Sequence, residues 1–94
     1  MHHSITLNLP YDLSKSDWDK VVAVYGRMDG WVQNSEGPCW YGTPKDAKYI
    51  YASVEPSGLL LEAEVDALLW TDWISVLSAR LTHALGREVH DAEM

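Results

Sequence analysis

The sequence predicts an α+β domain in which two helices cover one face of a four- or five-stranded antiparallel sheet. Three observations carry that expectation. Residues 49–55 and 59–65 each alternate apolar and polar side chains on either side of Pro56-Ser57-Gly58, the pattern of a β-hairpin. Trp70, Trp73, Ile74, Leu77, Leu81, Ala84 and Leu85 then recur at helical spacing as one apolar stripe. Neither element buries its apolar side alone, so the helix is expected on the aliphatic face of the hairpin.

The remaining elements follow in chain order. Residues 4–9 alternate, with Ile5, Leu7 and Leu9 on one side and Ser4, Thr6 and Asn8 on the other, as a half-buried strand ended by Pro10. Ser14 is placed to cap a helix. Asp17 and Asp19 suit its positive end, and Leu13 can staple onto Trp18. Trp18, Val21, Val22, Tyr25 and Met28 are expected on its buried face, with Gly30 as its stop. Residues 29–48 form an inserted segment rich in Gly, Pro and aromatics. So long a stretch without structure is unusual in a small domain. Short strands are therefore expected at 31–33 and 39–41, joined by Asn34-Ser35-Glu36-Gly37-Pro38. Gly42-Thr43-Pro44-Lys45-Asp46 is turn chemistry leading into the hairpin.

Beyond the hairpin, Asp66 and Thr71 are both plausible caps for the second helix, and Gly86 stops it. Residues 87–92 read as a last short strand, with Val89 on one side and Glu88 and His90 on the other. One domain spanning 1–94 is thus expected. Its succession of elements is the split β-α-β pattern of ferredoxin-like folds, with an insert before the hairpin. The first strand and residues 59–65 would lie side by side at the centre of the sheet. Architecture of this kind does not name a function.

Charge narrows the choice of partners. The 94 residues hold 7 basic and 14 acidic side chains, a net of −7. Residues 1–50 contribute only −1 of this, and residues 51–94 contribute −6. Such a field repels phosphate backbones and anionic lipid heads, so neither nucleic acid nor a membrane surface is expected as a partner; a basic protein is. The longest apolar run, residues 21–25, is far short of the roughly 20 residues of a span. The N-terminal residues lack the basic and long apolar regions of a signal peptide. A single cysteine, Cys39, allows no internal disulfide and no cysteine-based zinc site, and a reducing, cytoplasmic setting is the expectation. His2 and His3 are consistent with a tag remnant. A copper or nickel chelate at His3 and the amino terminus carries no expected physiological role.

Period-2 geometry singles out one surface. With helices on one face, the other carries Thr6, Asn8, Tyr49, Tyr51, Ser53, Leu60, Glu62, Glu64 and His90. Two tyrosines beside two carboxylates suit a protein interface; the plainer account is a solvated sheet face with ordinary cross-strand pairs. RNA-binding sheets of this architecture also carry aromatics, but in basic surroundings. Glu62 and Glu64 stand about 6.6 Å apart on one strand. Carboxylate pairs that hydrolyse glycosides have a comparable separation but converge in a cleft, so neither catalysis nor a metal site is expected of these two.

Cys39 would act as a nucleophile only beside a base such as His83 or His90, and its plainer role is a small buried side chain. There is no Gly-rich phosphate loop, zinc-protease or nucleophile-elbow motif. Trp31, Trp40 and Tyr41 sit in the insert and suit either a binding loop or a lid on the core.

The expected function is a non-catalytic protein–protein interaction module, without a cofactor or metal, using an acidic, Tyr-bearing sheet face. An inhibitor or immunity-type protein directed at a basic enzyme is one example. Tyr49, Tyr51, Glu62, Glu64, Trp31, Trp40 and Tyr41 are its candidate contacts, and the open face or an edge strand also suits a homodimer. The alternative is a small dimeric enzyme or small-molecule-binding subunit with a pocket enclosed between two packed sheets.

Overall fold

A computed structural model describes residues 1–33 and 36–93. Its elements are β1 (His2–Leu7), α1 (Lys15–Arg27), β2 (Cys39–Trp40), β3 (Tyr49–Glu55), β4 (Gly58–Glu64) and α2 (Ala67–Leu85). The four strands form one antiparallel sheet in the order β1-β4-β3-β2, so the protein is α+β with two helices.

The register explains which face is buried. Ile5 lies opposite Leu61, which lies opposite Ala52, and Leu7 lies opposite Leu59. These side chains share a face with Ile50 and Ala63. They join Val21, Val24 and Tyr25 of α1 and Trp73, Leu77 and Leu81 of α2 in one buried cluster. Both helices therefore pack on that face. No helix among the described residues is long and apolar enough to cross a membrane.

Local chemistry sets the element ends. The Ser14 hydroxyl accepts from the Asp17 amide at 3.2 Å and caps α1. Asp66 is the cap of α2, accepting from the Leu69 amide at 2.9 Å, and Gly86 ends that helix with a left-handed φ of 67°. The hairpin closes where Glu55 pairs with Gly58. Gly58 has φ +139°, and a Cβ there would collide with the Leu7 carbonyl of the neighbouring strand. Only glycine meets both demands.

Four expectations are corrected. Val22 is 58% exposed and Val24 is buried instead. At about 100° per residue, Val22 points about 110° from the centre of the stripe made by Val21, Val24, Tyr25 and Met28. Val54 lies in phase with Ile50 and Ala52 but is exposed.

In the insert, residues 31–33 form no strand. Trp31 makes a single bridge to Trp40, and β2 spans two residues rather than three. Part of the expected connection, Asn34-Ser35, lies outside the described residues.

The last strand is also reduced to one bridge, Leu7 to Asp91. The Asn8 side chain accounts for this. Its carbonyl accepts from the His90 amide at 2.8 Å and its amide donates to the Glu88 carbonyl at 3.1 Å. A side chain thus takes backbone groups that a strand would have used.

Candidate functional site

The sheet face away from the helices is built by the register. Across it Tyr49 stands opposite Glu64, which stands opposite His2. Tyr51 stands opposite Glu62, which stands opposite Ser4, and Ser53, Leu60 and Thr6 form the next row. Tyr49, Tyr51, Glu62 and Glu64 are therefore brought together as two cross-strand pairs. The side chains of Glu62 and Glu64 are 44% and 37% exposed. Both are acceptors on solvent, and Tyr49 and Tyr51 are half-buried.

His2 completes this surface. Its Nδ1 lies 3.2 Å from Glu64 Oε1 and its Nε2 lies 3.9 Å from Glu62, so the imidazole bridges the two carboxylates. His3 points to the other side, stacks on Trp70 at 5.4 Å between centroids, and places Nε2 3.1 Å from the Val65 carbonyl. Both histidines are parts of β1. Carrying the alternation of Ser4 and Thr6 back by two residues puts His2 on this face, the one signal that reveals it in the sequence.

A cleft of about 380 Å³ opens on the β3 side, lined by Glu36, Pro44, Tyr49, Tyr51 and Glu62. One wall comes from the approach to β2. Pro38 accepts from the Ala52 amide at 3.1 Å, and Gly37, with φ +137°, lies over the Tyr51 ring. A Cβ at Gly37 would stand 3.3 Å from that ring, so glycine lets the wall close down on it.

Other candidates lie elsewhere. Asn8 and His90 are joined to each other at the far edge, their side chains 3.3 Å apart, and His90 Nδ1 is 2.7 Å from the Asp91 carbonyl. Cys39 is buried on the opposite edge strand, beside Tyr51, so β3, β4 and β1 separate it from His90.

Trp40 is corrected from a surface contact to a core residue. It is 0% exposed, its Nε1 donates to the Tyr25 carbonyl at 3.0 Å, and it meets the Tyr25, Trp31 and Trp73 rings edge to face. Its in-register partner Ile50 shows why: position 40 falls on the helix-covered face. Trp31 is half-buried against it.

Tyr41 is half-buried in the left-handed backbone region, at φ 67°, with its ring over Gly30 and under the Lys48 ammonium, 4.9 Å away. Burial and then the Asp29 carboxylate push its phenol above the ordinary range. With Met28, Asp29, Trp73 and Arg80 it borders a separate cleft of about 280 Å³ beside the helices. The insert aromatics thus do not join the Tyr49–Glu62 surface.

The sequence matches no family model, and neither the curated proteins nor the solved structures contain a match to it.

Proposed function

We propose that this chain is a non-catalytic protein-interaction module that docks a basic protein on its open sheet face. The observation that carries the reading is the pair of in-register Tyr–Glu rungs, Tyr49 with Glu64 and Tyr51 with Glu62, on the face the helices leave uncovered. Half-buried tyrosines offer rigid contact area. Exposed carboxylates steer a cationic surface toward them. A chain of net charge −7 disfavours nucleic acid and anionic membranes as alternatives. The single cysteine suits a reducing, cytoplasmic setting.

We also read the sheet as ferredoxin-like. The Leu7–Asp91 bridge would be the remnant of a strand outside β1, and β2 an addition at the opposite edge. An inhibitor or immunity-type role against a basic enzyme fits this size and charge.

The test couples capture to substitution. A partner is captured from the native host with the wild-type chain, then offered to the Glu62→Lys/Glu64→Lys double variant. Loss of that partner with normal melting supports the reading; retention overturns it. A stable dimer with its sheets face to face and a small molecule enclosed between them would favour the alternative small-molecule-binding subunit.

A further inference from the structure

We propose that the cleft on the open sheet face receives an arginine side chain of the docking partner, with the guanidinium stacked on Tyr49 and Tyr51 and paired to Glu62. The inference rests on the docking reading above and specifies the group that anchors the partner.

The lining defines the ligand's chemistry. The two tyrosines sit two residues apart on β3 and so project to the same side, with Cα atoms about 6.6 Å apart. Glu62 stands directly across from Tyr51 on β4. The cleft therefore presents aromatic surface beside a carboxylate, and the Pro44 ring adds an apolar wall. Among the described residues, no lysine or arginine lines it. Neither tyrosine hydroxyl has a hydrogen bond among the described residues, so both are available as acceptors beside the carboxylate.

Three properties of the guanidinium match this site. It is planar and stacks on aromatic rings, it carries five donors in a fixed fork that suits a carboxylate, and it sheds water more readily than an ammonium. A lysine head satisfies only the charge. At about 380 Å³ the cleft lies at the low end of ligand-pocket sizes, suited to one inserted side chain. His2 stands nearer Glu64, at 3.2 Å, than Glu62, at 3.9 Å, and Glu64 does not line the cleft, so it contributes to the field around it.

The experiment uses acetyl-arginine N-methylamide and its lysine counterpart as probes. Each is titrated into the isotope-labelled full chain, and the backbone amide signals are followed. The arginine probe is expected to shift the Tyr49, Tyr51 and Glu62 amides saturably. The lysine probe should bind about 3-fold more weakly or worse. Glu62→Gln should weaken the arginine response roughly 3- to 10-fold, and Tyr51→Leu should weaken it roughly 2- to 10-fold, with the remaining spectrum reporting that each variant is folded. Equal responses to both probes, or an arginine response that Glu62→Gln leaves unchanged, would overturn the assignment. If the double charge reversal abolishes partner capture but the arginine probe moves no amide in the cleft, docking stands and the arginine receptor falls.

Discussion

Tyr25 shows what the absence of phenylalanine means in this chain. It is a core residue, edge-on to Trp40 at 5.2 Å, and its hydroxyl is buried with no hydrogen-bond partner among the described residues. Burial pushes its phenol far above the ordinary value of about 10. Two outcomes follow. Tyr25→Phe removes an unsatisfied polar group at constant shape, so stability should hold or rise by about 1 kcal/mol in urea unfolding. A loss of that size would mean the hydroxyl has a partner. The second outcome concerns alkaline pH. A phenol whose folded-state pKa is raised contributes stability that is present below the unfolded value and lost as pH rises past about 10, because the unfolded chain releases the proton first. The wild type should therefore lose more stability than Tyr25→Phe above pH 10, and parallel curves would contradict this.

At the scale of elements, the two helices separate what was legible in the sequence from what was not. The α2 stripe was readable because its apolar residues repeat at helical spacing along the helix, and Trp73, Leu77 and Leu81 are the buried ones. The α1 face was misread at Val22 because Val21, Val22 and Val24 are the same residue type, although helical spacing already turns Val22 away from the stripe. The Tyr49–Glu64 and Tyr51–Glu62 rungs were legible because strand period is two. Their opposition is set by the hairpin register that pairs Glu55 with Gly58, and the bridging by His2 depends on β1 beginning at residue 2. The burial of Trp40 was left open between a binding loop and a lid, since nothing local in the expected strand at 39–41 shows pairing to Ile50.

These differences set stability predictions. Leu77→Ala should cost about 2–5 kcal/mol. Val24→Ala should cost distinctly more than Val22→Ala, which should stay within about 0.5 kcal/mol. Equal losses at the two valines would contradict the packing of α1. Gly58→Ala should be more damaging than either, because its Cβ meets the Leu7 carbonyl at a positive φ.

A cationic groove and an acidic pair lie on opposite sides of the molecule. Arg27, Arg80 and His83 border a groove between the helices, and Arg80 Nη1 donates to the Arg27 carbonyl at 2.9 Å at the end of α1. The negative end of α1 accounts for cations there. Glu62 and Glu64 stand on the opposite, sheet side. On the proposed reading, a basic partner approaching at low ionic strength would be turned toward the sheet before it touches.

Association kinetics with the captured partner, measured across ionic strength for the wild type and for Glu62→Lys/Glu64→Lys, test this most directly. The wild-type rate should be fast at low salt and fall steeply as salt is added. The double variant, whose local charge changes by four units, should associate slowly at every salt concentration, while its stability stays within about 0.5 kcal/mol of wild type. Wild-type association by the double variant, with the same salt dependence, would contradict docking on the acidic sheet face.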